Sequence, residues 1–381
     1  MKILIVNNNM HIGGIQKALS NLLKEVSHHE ITLFMFNSEG ELMDEIDPRI
    51  KVIKGNFFTR ILGMSQGEAK AKGIITSLFR GMCVVIAKVT GSGFMYKLLS
   101  AFQKLKENYD VAISYMQNAD EKTFYGGCNE FVLNSVKAKS KISFVHCDFK
   151  NYPGNEPYNI NLYSKFDKIA CVSESVKRRF DEVCPQYQDK TFAVYNVYDF
   201  DSIKKMAEEY PVNKEGKTVL FTSARIREEK GILRMIPILE RIKKEGGDFV
   251  WYVAGNGPQY EEVSSLAKEK NLSDSVIFLG MLKNPYPYFK NADILLVPSY
   301  NEAAPMVYAE ALLFSTPVFT TDTTSAYEFI GEDNGWVIEN NDEYIEKELK
   351  EIILKKKFKE KNPSFAADNK VAKEQFEELL N

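Results

Sequence analysis

The chain has 381 residues, with 49 Lys and Arg against 52 Asp and Glu, a formal charge of −3, and five cysteines. That length predicts two domains, and the near-neutral balance excludes a global attraction to nucleic acid. The cysteines, at 83, 128, 147, 171 and 184, are odd in number and lack C-x-x-C spacing. This excludes a disulfide framework or a zinc site and predicts reduced thiols in the cytoplasm.

Residues 2–6 predict a first strand, too short for a signal peptide. The loop 7–12 runs into Gly13-Gly14 and a helix start. Glycines there let backbone N–H groups approach a phosphate or an acceptor, or simply make the turn. G-x-G-x-x-G is absent, which argues against a dinucleotide-binding oxidoreductase. Only four histidines occur, two of them the adjacent pair His28-His29, which argues against a metal cluster. Further strands are expected at 31–36, 111–115, 142–146, 169–172 and 192–194.

Between Lys51 and Lys106 stand ten basic residues and one acid, Glu68, a local net charge of +9. Apolar residues interleave with the charges from Ile74 to Ile86. Basic amphipathic segments of this kind lie on anionic membrane surfaces. No uncharged apolar run approaches the roughly 20 residues needed to span a bilayer. The expectation is therefore a cytoplasmic chain docked on the inner face of the membrane.

His146 stands at the carboxyl end of the 142–146 strand, followed by Cys147 and Asp148. Ser173 caps a helix start. The polar segment 195–213 predicts the domain boundary, which puts the first domain at 1–200 and the second at 201–363.

In the second half, strands are expected at 218–223, 249–253, 276–279, 294–297 and 317–320, again alternating with helices. This is the pattern of a doubly wound parallel sheet. The first of them ends in Arg225, with Lys230 five residues on and Gly231 after it. Val253-Ala254-Gly255-Asn256-Gly257 is a strand running into a glycine turn, for which a tight turn is as good an explanation as a phosphate loop. The strand 294–297 leads into Ser299-Tyr300-Asn301-Glu302-Ala303-Ala304-Pro305-Met306-Val307, with a helix opening at Pro305 and carrying Glu310. Proline suits a first helical turn, and the N–H groups beyond it favour an anion. Two carboxylates beside an anion site would repel the anion unless they hold hydroxyls, as a nucleotide sugar supplies. The helices 343–361 and 371–380 close the chain.

Glu302 and Glu310, with seven residues between them, resemble the paired-glutamate motif of retaining glycosyltransferases of family 4, which have the GT-B fold. Arg225 and Lys230 match that family's R-x4-K pattern. The resemblance implies two Rossmann-like domains facing across a cleft, the first for the acceptor and the second for the nucleotide sugar. It also implies that the last segment, 364–381, packs back on the first domain. By residue, it implies catalytic roles for Arg225, Lys230, Glu302 and His146. Donor binding falls to Glu310, Gly14, Gly255, Gly280, Met281, Ala304, Pro305, Met306 and Val307, and the acceptor side to Gly13 and Asp148. Asn196 and Asp199 match positions near the hinge.

No metal or cofactor is expected, because Arg225 and Lys230 take the cation's role. Thr324 and Ser325, and also Ala303, stand where the family often has glycine, which narrows the donor pocket and bears on the sugar. The function implied is transfer of a hexose or N-acetylhexosamine, with retention, from a UDP-sugar to a lipid-linked glycan. Capsule or O-antigen assembly is the setting. The alternatives are a non-catalytic partner subunit, and an epimerase or hydrolase acting on the nucleotide sugar.

Overall fold

The computed structural model describes residues 1–213 and 216–381. They form two compact units, Met1–Tyr198 with Asn369–Asn381, and Asp199–Asp368.

The first unit is built on seven parallel strands: β1 Lys2–Asn7, β2 Glu30–Met35, β3 Lys51–Lys54, β4 Asn108–Ser114, β5 Lys137–Val145, β6 Lys168–Cys171 and β7 Thr191–Ala193. Their order is β3-β2-β1-β4-β5-β6-β7. The second unit has six parallel strands: β8 Thr218–Ser223, β9 Phe249–Ala254, β10 Val276–Gly280, β11 Ile294–Val297, β12 Val318–Thr321 and β13 Gly335–Ile338. Their order is β10-β9-β8-β11-β12-β13.

Central strands such as Ile3-Leu4-Ile5-Val6 are fully buried because helices cover both faces of a parallel sheet. In each unit the strand order reverses once, between β1 and β4 and between β8 and β11. Chains leave such a point in opposite directions, and the gap at the strands' carboxyl ends is where open α/β sheets bind ligands.

Two edge strands, β3 and β13, fall where the sequence predicts none. Both are four residues long and mostly half-exposed, so they lack the buried apolar run that marks the inner strands. The charged helix expected over 343–361 ends at Lys355, where Lys356 takes a left-handed conformation (φ 51°) and a 3-10 turn, Lys357–Glu360, follows.

The last helix, Lys370–Leu380, packs on the first unit through Phe376 and Leu379, each 1% exposed. Its start is fixed by a reciprocal pair: Tyr198 N–H donates to Asn369 Oδ1 at 3.0 Å, and Asn369 Nδ2 donates to the Tyr198 carbonyl at 2.8 Å. Lys168 Nζ donates to the Leu379 carbonyl (2.9 Å), and Lys373 pairs with Glu25. His28 and His29 both place Nε2 on Glu377 Oε1, at 3.1 and 3.2 Å. With Glu377 the adjacent histidines bring three potential ligand atoms within 4.8 Å of one another.

Candidate active site

The second unit's switch point carries most of the residues singled out in the sequence. Its key is Gly231, which sits in the left-handed region (φ 63°) at the end of the 3-10 turn Glu228–Lys230. A Cβ there would lie 1.9 Å from the Pro298 carbonyl oxygen, so only glycine lets the loop after β8 press onto the end of β11. The two loops are then joined. Tyr300 N–H donates to the Glu229 carbonyl (2.9 Å), and Lys230 Nζ donates to Glu302 Oε1 (2.6 Å). Ser299 Oγ also donates to Glu302 Oε1, at 2.8 Å.

Lys230 and Glu302 keep 24% and 12% of their side chains exposed. The pair is therefore partly desolvated, and its attraction is stronger than that of a surface ion pair. An ammonium has three donors, and one is given to Glu302, leaving others for an incoming anion. Arg225 lies on the same loop, exposed.

The helix behind this point is Met306–Leu312, and Pro305 precedes it with ψ 124° rather than opening it. Proline's fixed φ of −66° serves equally well one residue earlier. Met306 is buried, while Ala304 and Val307 stay half-exposed at the loop. Tyr308 shares a 2.7 Å hydrogen bond with Thr320 Oγ1, which holds the helix to β12. Glu310 is 8% exposed and accepts a hydrogen bond from Tyr286 Oη at 3.3 Å.

The glycine turn after β9 has a packing cause. A Cβ on Gly255 (φ 148°) would meet the Ala224 carbonyl oxygen at 1.8 Å, and one on Gly257 the Ile226 carbonyl oxygen at 2.3 Å. These glycines let the β9 loop lie against the Arg225 loop. Gly280 (φ 67°) needs glycine for its backbone alone, since nothing lies within 4 Å of its missing Cβ. Its carbonyl accepts from Gly255 N–H at 2.7 Å, and Met281 beside it is 58% exposed.

Four supporting residues carry no motif in the sequence. Tyr286 and Ser299 hold the two glutamates. Arg234 places its guanidinium 4.2 Å from the Tyr300 ring centroid and donates to Asn340 Oδ1 at 2.7 Å. Asn340 Nδ2 in turn donates to the Tyr300 carbonyl at 3.1 Å.

The first unit holds a separate set. Gly13 is extended (φ −179°), Gly14 has open space where a Cβ would stand, and together they begin the 12-residue helix Gly14–Glu25. Neither backbone demands glycine, and Gly14 leaves room beside a helix start. His146 follows β5, its ring 4.8 Å from Tyr115 and 5.8 Å from Phe144. Its Nε2 is buried and finds no hydrogen-bond partner among the described residues. Burial pushes its pKa down to about 4, against a weaker upward pull from the Tyr115 backbone. The ring is therefore neutral at pH 7 and has a polar atom to offer.

Asp148 is 3% exposed and turned inward, accepting from Lys150 N–H (3.1 Å) and from Asn151 Nδ2 (2.8 Å). It shapes the loop rather than facing solvent. Ser173 caps its helix by accepting from Val176 N–H at 3.0 Å. Burial raises the pKa of all five cysteine thiols, so none is a ready nucleophile.

Residues 204–367, nearly the whole second unit, match the family of glycosyl transferases group 1. The chain is 25% identical over 246 residues to an uncharacterized glycosyltransferase of Methanocaldococcus jannaschii, MJ1059, covering 60% of this chain and 58% of the relative. It is 20% identical over 354 residues to the amylovoran biosynthesis glycosyltransferase AmsD of Erwinia amylovora, covering 92% and 89%. Among solved structures it resembles a TarM mutant of S. aureus in complex with fondaparinux, alpha-GlcNAc-glycerol and UDP. That likeness has a TM-score of 0.68 at 13% identity and covers all of both chains. The fold is thus GT-B, two parallel-sheet α/β domains.

Proposed function

We propose that this chain is a glycosyltransferase of family 4 that moves a hexose or N-acetylhexosamine, with retention, from a UDP-sugar to a lipid-linked glycan. The observation that carries this reading is the Lys230–Glu302 pair at 2.6 Å across the β8/β11 switch point, with Arg225 on the same loop. The group 1 match over 204–367 supports it, as do the amylovoran relative and the UDP bound by the TarM neighbour.

In the reaction the bond between the sugar's anomeric carbon and the β-phosphate oxygen breaks, and its electron pair goes to the phosphate. Arg225 and Lys230 stabilise the charge that builds there, more in the transition state than in the ground state. No metal is required in this role. Glu302 accepts from donor-sugar hydroxyls and Glu310 from the ribose, Gly280 and Met281 line the base side, and Gly255 belongs to the donor-binding set. His146, neutral, is the first unit's candidate for a catalytic role. The acceptor hydroxyl attacks from the leaving-group side, and its proton passes to the departing phosphate oxygen, so the configuration is kept. Gly14 belongs with donor binding and Gly13 with the acceptor side, where Asp148 acts only by shaping its loop. The setting is surface-polysaccharide assembly, such as capsule or O-antigen, at the inner face of the membrane.

The test is incubation with UDP-hexoses and a lipid-linked glycan, reading the anomeric configuration of the product by NMR. An α-linked product from an α-linked donor is expected. An inverted product would contradict retention, and donor turnover without any glycoside would favour the hydrolase or epimerase reading.

A further inference from the structure

The basic stretch 51–106 folds differently from a solvated ribbon of charge. Arg80 points inward, donating to the Met64 carbonyl (2.8 Å), Gln66 Oε1 (2.9 Å) and the Phe124 carbonyl (3.1 Å). Lys51 and Lys72 are taken up in ion pairs with Glu107 and Glu39. The remaining lysines face outward around an apolar surface.

The helix Ile74–Thr90 is apolar around most of its circumference, with Arg80 and Thr76 beside Cys83 and Ala87 on its buried side. Ile74, Ile75, Leu78, Met82, Val85 and Val89 are 52–82% exposed. At about 100° per residue these six fall within an arc of about 100° opposite the buried one. The next helix, Ser92–Ser100, continues the surface with Phe94 and Leu98, 54% and 43% exposed, while Met95, Tyr96 and Leu99 face the core. Stacked rings extend it: Phe57 on Phe79 at 5.4 Å, and Phe58 on Phe102 at 4.4 Å, with Phe102 53% exposed. A helix that is apolar all round is normally enclosed. This one is fixed to the core on one side and presents a continuous ridge on the other, larger than the scattered apolar residues of an ordinary surface.

We propose that this ridge inserts into the interfacial region of an anionic lipid bilayer and seats the first unit on it. Charge decides the occupant. Residues 69–106 contain seven Lys and Arg and no Asp or Glu. Five of the seven, Lys70, Lys88, Lys97, Lys104 and Lys106, are exposed beside the ridge, where they meet acidic headgroups as the apolar side chains enter. A second copy of the chain fits less well. A two-fold contact sets the same patch against itself, lysine facing lysine. A protein partner fits less well too, because the ridge carries no Tyr or Trp anchor and the arginine at its edge, Arg60, is already stacked on Phe57 and bonded to Thr76. Among the described residues no helix is long and apolar enough to cross a membrane, so the ridge lies on the bilayer. The proposal deepens the lipid-linked acceptor reading above and rests on it.

The test is flotation of the full chain with phosphatidylglycerol-containing and pure phosphatidylcholine vesicles. Two combined variants are compared with wild type: Leu78→Ser with Val85→Ser and Val89→Ser, and Lys88→Gln with Lys97→Gln, Lys104→Gln and Lys106→Gln. All substituted positions are exposed, so melting temperatures should hold. Wild type should bind the anionic vesicles, the serine variant should bind them at least roughly tenfold more weakly, and the glutamine variant should lose its preference for anionic lipid. Unchanged flotation of the serine variant would overturn the proposal. So would a wild-type dimer in light scattering that the serine substitutions split while vesicles go unbound. UDP binding measured on the same proteins should be equal in all three. Its absence from wild type would strike the donor reading and leave the lipid result standing.

Discussion

Replacing Lys230 with alanine should lower kcat by roughly a hundredfold to a thousandfold, the usual cost of removing one preorganised group that meets developing charge. Two effects combine. The variant loses a cation where, on the proposed reading, the leaving diphosphate would gain charge. It also strands Glu302, whose side chain is 12% exposed and would keep only the Ser299 hydroxyl as donor. The stranded carboxylate would then repel the diphosphate. Breaking this half-shielded pair should cost about 1–2 kcal/mol of stability, less than a fully buried pair because both groups still reach water. A double variant, Lys230→Ala with Glu302→Gln, separates the two effects. Its melting temperature should recover while kcat stays low, since the repulsion is gone but the cation and the sugar-contacting carboxylate are both missing, and Glu302→Gln alone gives the carboxylate's share. Recovery of kcat together with stability would make Lys230 a structural residue only.

Gly231→Ala should be strongly damaging although it adds a single carbon. The new Cβ would stand 1.9 Å from the Pro298 carbonyl oxygen, on a residue already at φ 63°. The left-handed conformation costs alanine about 1–2 kcal/mol, and the contact forces the two loops apart. A total of about 2–4 kcal/mol is expected, a drop of roughly 5–15 °C in the melting temperature of the second unit. Lys230 precedes Gly231 directly, so a loop displaced by about 1 Å should also cost roughly a hundredfold in turnover. Gly14→Ala is the matched control, because open space surrounds its missing Cβ and its backbone makes no demand. Stability there should stay within about 0.5 kcal/mol. A loss of activity without loss of stability would then mean that a ligand approaches that backbone.

The inner strands were legible because burial on both faces leaves a continuous apolar run, as in Ile3-Leu4-Ile5-Val6 and Ile294-Leu295-Leu296-Val297. The edge strands β3 and β13 were not, since short half-exposed strands carry little of that signal. The candidate residues of the second unit could be read as a set because the switch point gathers the ends of β8 and β11, and both ends carry charged motifs. Their supports could not. Arg234 and Asn340 stand 106 positions apart, and Tyr286 stands 24 from Glu310, so no local pattern joins them. At Gly255 the sequence allowed a phosphate loop or a tight turn, and the crowding against Ala224 supplies a packing reason for the glycine. The basic stretch shows a different limit. Counting charge between Lys51 and Lys106 gave the sign of the surface, but a helix apolar around most of its circumference does not reveal which side packs. Only the fold turned Arg80 inward and the Ile74–Val89 ridge outward.

The central claim, that the β8/β11 switch point holds a nucleotide sugar, is tested most directly by titrating UDP, GDP and ADP, and their sugars, into wild type and Glu310→Ala. Glu310 is nearly buried and held by Tyr286, so its loss should remove a ribose contact and leave the fold intact. UDP and a UDP-sugar should bind wild type and raise its melting temperature, and Glu310→Ala should bind them at least roughly tenfold more weakly. Failure of every nucleotide to bind wild type, or equal binding by the two proteins, would contradict the account.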